Sequence, residues 1–172
     1  MNILTIDAST KSTGVAVFEN KELKFYDCFT ASSKDVIERI KKITSSLKEL
    51  LDKIDIKIDK VILEEVRPEN GGFEKSIQTN RVLMWLQGQI AITVHEYYDK
   101  DVEIVYIYPS TWRSACGIQT GRGKKRNTLK QEDINFVKDK FKIDVNDDIA
   151  DAIGIGWGFL NSTAKEEKCP WD

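Results

Sequence analysis

The sequence is poor in histidine, proline and cysteine, and two of these shortages exclude a class of site. Its one histidine, His95, has no second histidine with which to form a histidine-based catalytic or metal site. Cys28, Cys116 and Cys169 lie far apart and form no CxxC pair. A disulfide framework or a zinc site is therefore not expected, and the cysteines are predicted to be reduced thiols in a cytoplasmic protein.

Long apolar runs are also missing. No stretch approaches the ~20 apolar residues that a membrane-spanning helix requires. The N-terminal segment MNILTIDAST has neither the basic region nor the small-residue cleavage site of a signal peptide. Without any repeat or linker, residues 1–172 are predicted to form one domain with no membrane partner.

The chain has no excess of positive charge, since its net charge is −2, and this total argues weakly against a nucleic-acid partner. The distribution of charge argues the other way, because a local basic patch can attract phosphate whatever the total is. One segment holds six basic residues and no acid: Arg113, Arg122, Lys124, Lys125, Arg126 and Lys130.

Hydrophobic patterning predicts an α/β fold. Three strands come first, with a tight turn at Asn20-Lys21, and βαβ units follow. This order predicts a mixed five-stranded sheet with helices on both faces, as in the ribonuclease H-like fold. The predicted strands are residues 2–7, 13–19, 23–29, 60–66 and 103–107; the predicted helices are a first one capped by Ser32 or Ser33 and ending near 54, then about 73–98, 109–115, 128–141 and 147–162.

Acidic residues occupy the ends of three of these elements. Asp7 ends the first strand, and Glu64 and Glu65 lie near the end of the fourth. Asp148 and Asp151 are three residues apart on the last helix, so they share a face. The predicted topology brings these acids to one edge of the sheet, where their repulsion needs a cation. Mg²⁺ or Mn²⁺ prefers such oxygen ligands, and two ions can promote phosphodiester hydrolysis.

Simpler interpretations exist for each acid alone. Asp147, following Asn146, favours a helix N-terminal cap. Asp7 could cap a turn, and either Glu64 or Glu65 would be a surface acid because consecutive strand residues face opposite sides. Capping does not explain Asp151, which lies a full turn inside the helix.

Three segments, ILTIDASTKSTGVAVF, VILEEV and DDIADAIGIG, resemble the acidic motifs of RuvC-like Holliday junction resolvases. The resemblance covers nearly the whole chain in the right order. It implies that Asp7, Glu64, Asp148 and Asp151 are catalytic metal ligands for Mg²⁺ or Mn²⁺, two ions per active site. It also implies a homodimer that nicks two opposed strands of a four-way junction in the bacterial cytosol, from a chromosomal or phage gene.

The resemblance further suggests where DNA and the second subunit bind. Basic residues between the fifth strand and the last helix are expected to contact phosphates, namely Arg122, Lys124, Lys125, Arg126 and Lys130. Arg67 stands near the position of an aromatic residue in cellular members, and we expect it to contact DNA too. The segment VLMWL at 82–86 is apolar all round, which together with the family predicts a dimer contact at Met84, Trp85 or Gln89.

We therefore expect a metal-dependent, structure-selective endodeoxyribonuclease of DNA recombination and repair. One alternative is a ribonuclease H-type nuclease for RNA–DNA hybrids, and another is a non-catalytic module that binds branched DNA. The first hairpin also resembles the phosphate-binding hairpin of the sugar kinase, actin and heat-shock ATPase superfamily. That superfamily needs two such domains, for which 172 residues leave too little room.

Overall fold

A mixed five-stranded sheet forms the centre of the molecule, as predicted. The computed structural model describes residues 1–66, 73–98, 101–121 and 123–162, without the side chains of residues 73–76. The strand order is β3-β2-β1-β4-β5. β1 pairs antiparallel with β2, and β2 with β3, whereas β1, β4 and β5 are parallel. The strands are β1 (Asn2–Asp7), β2 (Ser12–Glu19), β3 (Glu22–Thr30), β4 (Lys60–Glu64) and β5 (Glu103–Ile107).

The predicted turn between β2 and β3 is present. Asn20 and Lys21 have φ angles of 49° and 74°. Two consecutive left-handed residues match the right-handed twist of a hairpin, which is why this turn joins the two strands directly.

Helices cover both faces of the sheet. One apolar cluster joins α1 and α2 to one face, and a second joins α3, α4 and α5 to the other. No helix in the described part of the chain is long and apolar enough to span a bilayer. The helices are α1 (Val36–Lys53), α2 (Phe73–Tyr97), α3 (Pro109–Ala115), α4 (Arg126–Phe141) and α5 (Asp147–Asn161).

The predicted cap of the first helix is wrong. Asp35 is the N-cap, because its side chain accepts a hydrogen bond from the backbone N–H of Ile37 at 2.7 Å. Ser33 instead accepts from the backbone N–H of Asp35 at 3.1 Å and donates to Glu38. Several cap-forming residues stand in a row here, and only the geometry of the turn selects one of them.

Helix α5 lies unusually close to the sheet. A Cβ atom on Gly14 of β2 would stand 1.9 Å from the backbone oxygen of Asp148, and one on Gly156 would stand 2.3 Å from the Phe18 ring. The buried Thr5 hydroxyl donates a hydrogen bond of 2.7 Å to the Ala152 carbonyl, which ties β1 to the helix. The glycines therefore allow the first turn of α5 to reach the ends of the strands.

Candidate active site

Two of the predicted acids end neighbouring strands. β1 and β4 are parallel partners, with Ile6 opposite Leu63. Asp7 and Glu64 are the next residues and the last ones of their strands. Parallel strands end at the same edge of a sheet, so these two carboxylates lie side by side there.

The alternation of side chains along the strands decides which acids face α5. Thr5 reaches a carbonyl of α5, so Asp7, two residues later, points to the same face. Ile62 belongs to the apolar cluster on the α5 side, so Glu64 also faces α5. Glu64 therefore shares the face of Asp7, and Glu65 is the first residue beyond the end of β4.

Helix α5 brings two further acids, Asp148 and Asp151, to this edge. Its N-cap is Asn146, whose side chain accepts a hydrogen bond of 2.9 Å from a backbone N–H of the first turn. Asn146, and not Asp147, is therefore the N-cap, while Asp147 lies in the first turn of α5, where the helix dipole favours an acid. Asp147 also accepts a hydrogen bond from Lys130, and this bond lowers the pKa of Asp147.

A hydroxyl of β2 holds Asp148 in place. The Ser12 hydroxyl donates a hydrogen bond to Asp148 Oδ2, and the Cys28 sulfur lies 3.1 Å from the same hydroxyl oxygen. The single proton of Ser12 is used on Asp148, so the Cys28 thiol is the donor to Ser12. Hydrogen bonds of this kind orient a carboxylate that is to bind a ligand.

Asp7 interacts electrostatically with the other three carboxylates. The loss of hydration on burial, followed by the negative charges of Glu64 and Asp148, raises the pKa of Asp7 to about 7. Burial raises the pKa of Asp151 to about 9, and the charges of Asp7 and Asp133 add to the effect. Acids from β1, β4 and α5 thus share one electrostatic environment, which disfavours the fully ionised cluster.

Three residues that the sequence did not single out as site residues complete this environment. Trp112 is fully buried, and its indole N–H donates a hydrogen bond of 2.7 Å to Glu64 Oε2. That bond opposes the effect of burial, which raises the pKa of Glu64. Arg113 forms an ion pair with Asp133. Asp133 lies four residues before the buried Val137 of α4, so an acid on the core-facing stripe was a signal that could have been noticed.

The donor chemistry of the site fits a hard divalent cation. All four acids offer carboxylate oxygens, the ligands that Mg²⁺ and Mn²⁺ prefer. Asp151 Oδ1 is buried and has no hydrogen-bond partner among the described residues. Within those same residues, no three acidic, histidine or cysteine side chains stand close enough together to hold an ion as they are.

The predicted basic residues fall into different environments. Lys124 is engaged by Glu132 at 2.7 Å, and Lys130 by Asp147. Lys125 and Arg126 are exposed at the start of α4, and Arg126 is close enough to Glu64 to lower the pKa of that acid. Arg126 and Lys130 belong to α4, which begins at Arg126. Arg67 and Arg122 lie outside the described residues.

The predicted dimer residues are on the outside of α2. Met84 and Trp85 are 59% and 53% exposed, and Gln89 is also exposed. The neighbouring Leu86 and Ile90 are fully buried in the core. The helix therefore has a second apolar side that faces away from the sheet.

We predict that Asp151→Asn stabilises the metal-free protein at alkaline pH. The folded-state pKa of Asp151 is raised from 3.8 to about 9. The free energy of unfolding therefore falls as the pH rises from the lower value to the higher one. In EDTA at pH 8.5, the midpoint of thermal unfolding should rise by at least about 2–4 °C, which corresponds to about 1 kcal/mol for a domain of this size. The gain should shrink towards pH 5.

Asp139→Asn is the matched control, since Asp139 is exposed on α4. This variant should unfold within about 1 °C of the parent protein, as surface substitutions usually do. A lower midpoint for Asp151→Asn than for the parent at pH 8.5 would contradict the electrostatic account.

Comparison with known proteins gives similarity in structure and not in sequence. No protein-family model matches the chain, and a search of curated proteins gave no significant match. A structure of Thermus thermophilus RuvC in complex with a Holliday junction substrate superposes with a TM-score of 0.72 at 17% identity, over 97% of this chain and 99% of that one.

Two further solved structures have a similar fold. Another Thermus thermophilus RuvC structure gives a TM-score of 0.66 at 16% identity, over 97% of this chain and 100% of that one. The yeast mitochondrial Holliday junction resolvase Ydc2 gives 0.55 at 12% identity, over 92% of this chain and 77% of that one. The chain therefore has the ribonuclease H-like fold that these proteins share.

Proposed function

We propose that the protein is a metal-dependent, structure-selective endodeoxyribonuclease that resolves four-way DNA junctions by paired phosphodiester hydrolysis. The observation that supports this proposal is that Asp7, Glu64, Asp148 and Asp151 lie at one edge of the sheet, where Asp7 interacts electrostatically with the other three. The similarity in fold to RuvC, which has been solved with a Holliday junction substrate, supports the choice of substrate. The superposition covers 99% of that protein's chain.

The four carboxylates are proposed to hold Mg²⁺ or Mn²⁺, two ions per site. Bound ions would supply activation of a water and stabilisation of charge on the leaving 3′ oxygen. The protein orients the ligands: Ser12 fixes Asp148, and the Trp112 indole fixes Glu64. Asp7 and Asp151 must lose their protons before they can act as ligands, so binding is expected to strengthen as the pH rises.

We expect Asp7→Asn, Glu64→Gln and Asp151→Asn each to abolish cleavage of a four-way junction in Mg²⁺. Each change removes a charged ligand while keeping the side-chain volume, so junction binding in EDTA should stay within about threefold of the parent. Cleavage is measured on end-labelled junctions and binding by gel shift.

Glu65→Gln is the matched control, because Glu65 is the neighbouring acid and lies just beyond the end of β4. It should cut at nearly the parental rate. Cleavage at that rate by any of the three ligand variants would refute the assignment of the site.

Basic residues at the start of α4 are proposed to contact the DNA backbone. Lys125 and Arg126 are exposed beside the acidic site, and Arg126 is within electrostatic range of Glu64. Lys130, which already pairs with Asp147, also lowers the pKa of Asp7. Lys124, Arg67 and Arg122 are proposed as further contacts of the same kind.

Changing Lys125 and Arg126 together to alanine should weaken junction binding. Each lost phosphate contact reduces the salt dependence, so the slope of log K against log salt should fall by about two. Changing the exposed Lys41 and Lys42 of α1, on the opposite face of the sheet, is the control and should leave the slope unchanged. Equal slopes for the two double variants would show that the start of α4 does not contact the DNA backbone.

We further propose a homodimer formed through the outer side of α2. Ile77, Met84, Trp85 and Ile92 are 43–59% exposed and recur at helical spacing. Gly88 lies among them, and a Cβ there would meet nothing within 4 Å. A glycine inside a helix is unfavourable by about 1 kcal/mol relative to alanine, and one on an apolar stripe allows close contact with a partner helix.

Sedimentation velocity tests the dimer. The parent protein should sediment as a dimer at micromolar concentration, and Trp85→Glu should sediment as a monomer because it places a charge at the proposed contact. Ile37→Glu, which changes an exposed apolar residue of α1, should remain dimeric. A monomeric parent protein would contradict the proposal.

A further inference from the structure

Arg113 stands between two acids and donates hydrogen bonds to only one of them, Asp133. Its Nε lies 3.2 Å from Asp133 Oδ1 and its Nη2 lies 2.9 Å from Asp133 Oδ2, so both carboxylate oxygens are engaged. The same Nη2 lies 3.7 Å from Asp151 Oδ1, beyond hydrogen-bond distance. Asp133 is 1% exposed, so nothing from solvent competes for it.

The packing of Trp112 against Arg113 holds the guanidinium in position. Its central carbon lies 4.2 Å from the centre of the Trp112 ring, which stacks on it. The Trp112 indole is itself fixed to Glu64 by a 2.7 Å hydrogen bond. Residues of α3, α4 and β4 thus determine how far the charged head of Arg113 extends towards α5.

Stability alone does not explain the buried pair. A buried ion pair is often no more stabilising than apolar residues of the same size, because both charges lose their hydration. Arginine binds carboxylates best through two parallel hydrogen bonds. Two carboxylates, Asp133 and Asp151, lie near a single guanidinium. The carboxylate that accepts its hydrogen bonds leaves the other carboxylate available to another ligand.

We propose that Asp133 is a positioning residue that withholds Arg113 from Asp151 and so keeps Asp151 Oδ1 available to a divalent cation. Without the Asp133 charge, Arg113 turns to Asp151, shortens the present 3.7 Å ion pair to a hydrogen-bonded one and competes with the cation for the same oxygen. This inference rests on the proposed function, in which Asp151 is a ligand. It assigns to the buried pair a role in the affinity of the site for metal.

The test compares Mn²⁺ binding by calorimetry, without DNA, in the full-length parent, in Asp133→Asn and in the double variant Asp133→Asn, Arg113→Gln. Asp133→Asn should bind Mn²⁺ about 10- to 100-fold more weakly, the range found when residues that support metal ligands are changed. The double variant should bind within about threefold of the parent, because the competing cation is gone. Its net charge equals that of the parent, and glutamine can still hydrogen-bond to asparagine.

The double variant can still overturn the inference if Asp133→Asn alone is too unstable to purify. Weak Mn²⁺ binding by the double variant would mean that Asp133 acts through the fold and would overturn the inference. Parental affinity in Asp133→Asn would overturn it too. If all three proteins bind Mn²⁺ equally, the inference fails while the metal site stands; if the parent binds none, both fail together.

Discussion

Close contact between helix α5 and the sheet is the constraint on which the rest of the structure depends. Gly14 and Gly156 remove the side chains that would hold the helix away from β2, and Thr5 ties it to β1. The first turn of α5 is thereby brought to the ends of β1 and β4. A larger residue at Gly14 would collide with the backbone of Asp148, so the position of this acid depends directly on a glycine of the neighbouring strand.

Bringing acids together in this way creates an electrostatic problem, which the neighbouring residues partly offset. Ser12 donates to Asp148, Trp112 donates to Glu64, and Lys130 and Arg113 lower the pKa of Asp7. These contacts do not neutralise the cluster, since the pKa values of Asp7 and Asp151 remain raised. A group of carboxylates left in this state is suited to binding a cation, and the same charges disfavour the folded protein without one.

The order and type of the elements could be predicted from the sequence because they follow from local patterns. Apolar runs predicted the central strands β1 and β4, and Asn20-Lys21 predicted the hairpin turn. The residues alone left Glu64 and Glu65 open and the resemblance named Glu64; the place of Ile62 in the apolar cluster under α5 gives the physical reason that Glu64 faces this helix.

The caps and the supporting residues were beyond local patterns. Asp35 and Asn146 each stand among other cap-forming residues, and the backbone conformation at one residue decides between them. The pairing of Arg113 with Asp133 joins helices α3 and α4, and the contact of Ser12 with Asp148 joins residues 136 positions apart. Such contacts depend on the packed fold: the spacing of Asp133 and Val137 indicates a buried acid on α4 but does not identify its partner.

The most direct measurement of the central claim is a cleavage panel in Mg²⁺ with the parent protein. The substrates are a four-way junction, a replication fork, a plain DNA duplex and an RNA–DNA hybrid of matched sequence and length. The account predicts paired nicks at symmetrical positions of the junction and little cutting of the duplex or the hybrid. Preferred cutting of the hybrid would contradict it in favour of a ribonuclease H-type activity, and junction binding without any turnover would show a binding module.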